Sequence, residues 1–354
     1  MKKMLFLLLA LLMLTTSAYA LEIPDSVREF LPRELVQSVE REDSLLAGGW
    51  AYLCDTVRST LLGVLRSSVR SCAMLMLLAL LCGAVEGLSD GTGADAVRFV
   101  PYFGVLGASL LTAGDLTALI GLGTQTVDEL GVLGKLLIPT VAAAMAAGGC
   151  VGTASLWQVG TLFVSDVLLT VTREVLLPLV YCYIALTAAD ALLLRGGLDV
   201  LAGGVKKLLS WGVCGVTVLF TAFLTVSNVL TGSADKAAVK AGSFLLSNAV
   251  PVVGGILSEA TEAVLAGAGA LRGMVGTLGV FAVLAVCAVP LLRLAVQFLF
   301  YQAAAFLSAM AGCETLEKFI SRLSGAFTLV LALTASCAAI LLVALLVAIT
   351  MVTV

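Results

Sequence analysis

The stretch LLIPTVAAAMAAGGCVGTASLWQ, residues 136 to 158, decides the fold class of this chain. Nearly every residue in it is apolar or small, yet Pro139 and the glycines Gly148, Gly149 and Gly152 interrupt it. Proline lacks the backbone N–H that a helix interior uses, and glycine weakens a helix, so a plain membrane-spanning helix does not have this sequence. We therefore predict a membrane segment whose helix is broken by proline and glycine.

A second run of the same character, NAVPVVGGILSEA, begins at position 248 and contains Pro251, Gly254 and Gly255. Pro251 follows Pro139 by 112 positions, and in each copy another proline follows 39 positions later. This spacing predicts two related membrane halves, residues 136–231 and 248–354, each with a broken segment. Membrane transporters are often built from such internal repeats, with interrupted helices at matching positions.

The composition is that of an integral membrane protein. The 354 residues are 60% hydrophobic and only 12% charged, with a mean hydropathy of +1.12, whereas soluble domains carry about 25% charged residues. We predict an all-α, polytopic membrane protein with roughly six to eight transmembrane segments, each long enough for a hydrocarbon core of about 30 Å. The strongest candidate segments are 71–88, 99–122, 156–172, 175–194, 208–230, 274–300 and 326–352, and the ambiguous ones are 136–150 and 249–270. Residues 69–135 hold the first membrane helices.

The amino-terminal region has two parts. Residues 1–20 combine two lysines, an apolar core and a small-residue ending, which predicts a secretory signal peptide; the alternative is an uncleaved anchor. Residues 21–68 are charged and amphipathic, and we expect short helices lying on the outer membrane surface or packing against the membrane domain. Cleavage would place the amino terminus outside the cytoplasm. Basic residues between later segments favour the cytoplasmic side: Arg195, Lys206, Lys207, Lys318 and Arg322. Against this orientation, Arg58, Arg66 and Arg70 precede the first span on the side that it places outside.

The broken segments have two interpretations. An unpaired peptide group in hydrocarbon costs several kcal/mol, so an interrupted helix must face protein or a water-filled cavity. The segments either line a pathway or let helices approach closely, as the GxxxG pair Gly83 and Gly87 also predicts.

Five charges fall within apolar segments: Glu86, Asp115, Asp166, Asp190 and Arg293. A charge inside a membrane is costly and is by default a functional candidate. Glu86 and Asp190 lie near segment ends, where reaching the interface is the simplest explanation. Asp166 and Arg293 are deeper and of opposite sign, so we hypothesise that they pair across the two halves as a structural clamp or a gate.

The sequence contains no recognisable chemistry of catalysis. It has no histidine, its nine cysteines form no CxxC pair, and nucleotide-binding and hydrolase motifs are missing. We therefore expect no enzymatic activity and no cofactor or metal site. The charge pattern offers no basic patch for nucleic acid, and an energised process would need a separate ATPase.

The whole chain resembles the stage III sporulation protein AE family of spore-forming bacteria. The resemblance rests on the signal peptide, the charged amino-terminal segment, the IPT, AAGG and ASLWQ phrases within 136–158, and above all GSFLLSNAVPVVGGILSEATEAVLAGAGAL, residues 242–271. That family has no catalytic motif to transfer.

The resemblance implies a multi-pass subunit made in the mother cell and placed in the membrane that surrounds the forespore. It would belong, with sibling membrane subunits, to a secretion-like channel complex between the two cells, needed for forespore development and late forespore sigma factor activity. The alternative is a stand-alone secondary transporter with a site between the two halves, and a purely structural scaffold is a third, weaker interpretation.

Overall fold

The computed structural model describes residues 45–89, 100–147, 151–192, 197–249 and 254–350, and each element within these ranges is helical. In chain order the helices are α1 Leu45–Ser89, α2 Val100–Ala147, α3 Val151–Val171, a π-helical turn Thr172–Leu176, α4 Leu177–Leu192, α5 Asp199–Ala249, α6 Gly254–Met310 and α7 Glu314–Thr350. The all-α class is confirmed. The signal peptide predicted at residues 1–20 lies outside the described residues, as do Gly148, Gly149 and Pro251.

Six candidate membrane spans lie within the described ranges, by length and composition: Gly48–Val85, Tyr102–Ala147, Val151–Ala191, Asp199–Ser227, Gly273–Met310 and Glu314–Ile349. Six is the lower end of the predicted range, and the polytopic membrane class is confirmed. The described part of the amino-terminal segment, residues 45–68, is not a separate surface helix. It forms the first half of α1, and residues 48–68 lie within the first candidate span.

Two predicted spans, 156–172 and 175–194, are one continuous helical rod. The π-helical turn between α3 and α4 joins them, with the Leu177 backbone N–H bonded to the Thr172 carbonyl. The physical reason lies one residue further on, at Pro178, because the proline ring and its missing N–H disturb the preceding turn. A π-type bulge absorbs such a disturbance without ending the helix.

The predicted helix break at Pro139 is wrong, because α2 runs through this residue from Val100 to Ala147. A proline in a helix removes one backbone hydrogen bond and adds a local clash. Here the loss is offset by packing, since Ile138 and Val141 on either side are almost fully buried. Helix α6 passes through Pro290 in the same way.

Helix α7 forms the centre of the bundle and contacts α2, α4, α5 and α6. Its sequence is rich in Ala and Leu, and Leu333, Cys337 and Ala344 are fully buried. Helices α6 and α7 form an antiparallel hairpin. The hairpin turn contains Gly312, whose φ of 88° lies in the left-handed region that glycine adopts without steric cost.

Helix α1 packs along α6 and reaches the α6–α7 turn. A Cβ added at Gly83 would stand 2.2 Å from the backbone oxygen of Ala311, and the Cys313 thiol donates to the Ala79 carbonyl across 3.7 Å. The close packing predicted from the GxxxG pair is confirmed at Gly83. Only glycine leaves room for the turn here.

The boundaries of the predicted halves fall inside helices. Position 136 lies within α2 and position 231 lies within α5. The two-half organisation stays a prediction, and it does not correspond to breaks between helices.

Candidate polar sites between the helices

A partly buried ionic network joins three helices at one end of the bundle. Asp190 near the end of α4 binds the Arg322 guanidinium of α7, and the same guanidinium binds Asp199 at the start of α5 across 2.8 Å. The Asp190 carboxylate also accepts the Leu198 backbone N–H at 3.1 Å. Tyr183 donates its hydroxyl to the Arg322 carbonyl at 3.0 Å. The network therefore holds the end of α4 and the start of α5 against α7.

Asp190 lies near the end of α4 and does not reach open solvent, since it is 8% exposed and its carboxylate binds Arg322 and the Leu198 N–H. A buried carboxylate is tolerated only when a charge partner and hydrogen bonds replace its water. For Arg322, the sequence predicts only that it belongs to a basic segment on the cytoplasmic side. The signal for this pair in the sequence was Arg322, a charge of opposite sign near the end of another segment. The residues around Asp190 indicated neither its partner nor its burial.

The hypothesised pair of Asp166 and Arg293 does not form. Asp166 instead binds Lys135 of α2 across 2.8 Å. A clamp between the two predicted halves does exist, but it is made by Asp190 in one half and Arg322 in the other. The pairing that was predicted from the position of Asp166 deep within an apolar run is wrong, because Lys135 of α2 lies beside Asp166.

The Lys135–Asp166 pair belongs to an exposed charged band on the α2–α3 hairpin. A second pair, Arg173 with Asp128, spans the same two rods across 2.8 Å. The residue numbers of each pair add up to 301. A constant sum is expected when two antiparallel helices lie side by side in one register. The band lies in the second half of α2 and at the carboxyl end of α3 with the adjoining π-helical turn, with apolar residues on both sides of it.

Asp115 is half-buried in α2 and accepts a hydrogen bond from the Tyr301 hydroxyl of α6 at 2.9 Å. The Tyr301 ring lies 4.7 Å from the Phe327 ring of α7, centroid to centroid. One tyrosine thus satisfies an intramembrane carboxylate and packs into the α6–α7 core.

Arg293 lines an open cavity between α1, α2 and α6. Among the described residues, no salt bridge joins Arg293 to a carboxylate. This arginine was predicted from the sequence as an intramembrane charge, and the cavity in front of it was not.

The residues of the broken segments are only partly described. Pro139 is half-buried within α2, and Gly152 is exposed in the first turn of α3. Gly254 and Gly255 are the first two residues of α6. Glu86 lies in the last turn of α1. The described part of the chain holds no group of three or more Cys, Asp or Glu side chains arranged to bind a metal ion.

Comparison with known proteins decides the family. A family model described as stage III sporulation protein AE matches residues 33–352, nearly the whole chain. The chain belongs to this family. Its membership supports a role in sporulation, and the helical bundle gives it multi-pass membrane character.

A curated relative in the family is stage III sporulation protein AE of Bacillus subtilis (strain 168). It is 24% identical over 243 residues, which cover 67% of this chain and 60% of the relative. The match therefore spans less than two thirds of the relative's length. No solved structure matches the chain.

Proposed function

We propose that this chain is a non-enzymatic membrane subunit of a channel or secretion-like complex between mother cell and forespore. Its role there is to support forespore development and late forespore sigma factor activity. It resides in the mother-cell membrane around the forespore with its amino terminus outside the cytoplasm, beside other membrane subunits of the complex. Any energy from nucleotide hydrolysis comes from a separate ATPase. Membership of the sporulation family supports this proposal.

The structural observation that supports a role within a multi-subunit complex is the length of the α2–α3 hairpin. The span in α2 has 46 residues, which is about 69 Å at 1.5 Å per residue. A bilayer core of about 30 Å takes up about 26 residues even at a tilt of 40°. About twenty residues of α2 therefore extend beyond the hydrocarbon.

The outer face of this hairpin carries exposed apolar side chains. The exposed fractions are 62% for Val132, 69% for Val159 and 70% for Phe163. The ion pairs of Lys135 with Asp166 and of Asp128 with Arg173 lie exposed on the same hairpin. Exposed apolar patches that border polar groups are typical of protein interfaces, so a neighbouring subunit is the occupant that fits this face.

Site-specific photocrosslinking tests this assignment. A benzophenone amino acid placed at position 163 is expected to crosslink to another membrane subunit of the complex in sporulating cells. The matched control is position 157 on the same helix, where Trp157 is 1% exposed and faces the bundle core. Crosslinking at 163 to lipid alone would contradict a subunit interface on this face.

Co-purification separates the channel subunit from the stand-alone transporter. The proposal expects the full chain to be isolated from sporulating membranes together with other membrane subunits. If the isolated protein accumulates a solute in liposomes without partners, the transporter is the better assignment.

A further inference from the structure

A cavity of about 490 Å³ opens between α1, α2 and α6, halfway along the bundle. This size falls within the range of about 300 to 1,000 Å³ that small-molecule sites occupy. Its lining residues are Gly63, Val64, Ala118, Gly121, Leu122, Gln125, Arg293 and Gln297. Gly63 and Gly121 have open space where a Cβ would stand, so the lack of side chains at these positions helps to form the cavity.

The polar side chains that line the cavity are the guanidinium of Arg293 and the amides of Gln125 and Gln297. Arg293 and Gln297 are one turn apart on α6, and Gln125 faces them from α2. The Gln125 amide also donates to Glu129 at 2.8 Å, on the exposed side of α2. The other lining residues are apolar or glycine, so Arg293 supplies the only formal charge among them.

The charge of Arg293 differs from that of four ion-paired cations in the described helices. Lys135, Arg173, Lys318 and Arg322 each have a carboxylate within 3.2 Å. Arg293 has no such partner there, although it lies in a span with a mean hydropathy of 2.4. An arginine within an apolar span costs free energy unless an anion or water compensates it.

Two carboxylates of α2, Asp115 and Glu129, form no salt bridge with Arg293. Asp115 is held by the Tyr301 hydroxyl, and Glu129 is held by Gln125 on the exposed side of the helix. Because Arg293 is exposed in the open cavity, an anion from outside the chain can reach its guanidinium.

We propose that this cavity binds a phosphate group through Arg293, with Gln297 as a neutral donor beside it. The planar guanidinium offers paired N–H donors whose spacing matches two oxygens of a phosphate. The phosphate is carried by a phospholipid headgroup or is free in solution, and the chemistry at Arg293 is the same in both cases. The site is separate from the Asp190 and Arg322 network and does not depend on the proposed channel function.

Binding is measured with the purified full-length chain in dodecyl maltoside micelles, which contain no phosphate. One arm adds inorganic phosphate against chloride at equal ionic strength, and the other adds phosphatidylglycerol. The thermal unfolding midpoint and native mass spectrometry report binding. The wild-type chain is expected to gain thermal stability in at least one arm, and Arg293→Gln to weaken the apparent affinity by about tenfold or more.

Matched variants separate the cavity from general effects. Arg70→Gln removes an exposed arginine of α1 outside the cavity and should bind as wild type. Gly121→Leu fills the cavity and should abolish binding, whereas Gly114→Leu, in open space on the same helix and outside the cavity, should not. The Gly121 variant keeps the test decisive if Arg293→Gln fails to fold.

The outcomes assign the source of the phosphate or overturn the site. Stabilisation by phosphatidylglycerol alone identifies a lipid headgroup, and stabilisation by inorganic phosphate alone identifies a soluble anion. Stabilisation in both arms supports a site that accepts either source. No binding in either arm, or equal binding by wild type, Arg293→Gln and Gly121→Leu, would overturn the proposal.

Discussion

Asp190 of α4 and Arg322 of α7 form a buried ion pair although 132 positions separate them in sequence. The carboxylate side chain is 7% exposed and the guanidinium 29%. This pair joins the two predicted halves of the chain at the end of the bundle where α4 turns into α5. Among the salt bridges of the described residues, it is the one with the most buried side chains.

We predict that Asp190→Asn destabilises the protein by about 3 kcal/mol, because it leaves the Arg322 charge with only the exposed Asp199 as partner. Thermal unfolding in detergent, followed by circular dichroism, measures the change. Asp199→Asn is the matched control: its side chain is 59% exposed, so its removal should cost at most about 1 kcal/mol. Equal losses of stability in the two variants would show that the Asp190–Arg322 pair contributes no more than the exposed Asp199–Arg322 pair.

At Gly83 we predict that Gly83→Ala lowers stability by about 1 to 3 kcal/mol through overpacking. The added methyl group meets the Ala311 backbone oxygen, which cannot move without shifting the α6–α7 turn. Gly114→Ala adds the same methyl group in open space and should be neutral or stabilising by up to about 1 kcal/mol. Unfolding midpoints of the two variants test the contrast, and a neutral Gly83→Ala would refute close packing at the turn.

Removal of the Tyr301 hydroxyl should weaken the contact between α2 and α6. Tyr301→Phe keeps the ring against Phe327 but takes away the donor to Asp115, and hydrogen bonds to charged groups contribute about 1.5 to 3 kcal/mol. Tyr183→Phe removes a bond to a neutral carbonyl and should cost about 1 kcal/mol. The free energies of unfolding of the two variants are compared, and a larger loss at Tyr183 would go against this ranking.

The arrangement of the helices also predicts which end of the bundle faces the cytoplasm. The α4–α5 connection and the α6–α7 turn lie at the same end, because Arg322 near the start of α7 reaches Asp190 and Asp199. The carboxyl end of α1 meets the α6–α7 turn there, so the amino end of α1 lies at the opposite end. Basic residues near both connections favour the cytoplasm for this end.

A membrane-impermeant maleimide tests the orientation in intact, non-sporulating cells that express the chain in their cytoplasmic membrane, since the space around an engulfed forespore is closed to the reagent. In a cysteine-depleted background, Trp50→Cys should be labelled and Gly197→Cys should be labelled only after the membrane is permeabilised. Both positions are exposed in the bundle, so burial does not explain a failure to react. Labelling of Gly197→Cys alone in intact cells would reverse the orientation.

The helical membrane class and six spans within the expected range were predictable, because hydropathy over about 20 residues is a local property. The intramembrane charges were also visible as residues, since each stands out in an apolar run. Their partners were not visible. Asp166 pairs with Lys135 and Asp190 with Arg322 because of which helices lie side by side and in what register.

The broken segment that first indicated the fold shows the same division. Sequence alone determined that residues 136 to 158 belong to the membrane domain, since their apolar surface must leave water. Whether Pro139 breaks the helix depended on tertiary packing: burial of Ile138 and Val141 offsets the one lost hydrogen bond, and α2 continues to Ala147. Local composition thus selects the environment of a segment, and the neighbouring helices decide its path and its polar contacts, because burial and pairing are properties of the assembled bundle.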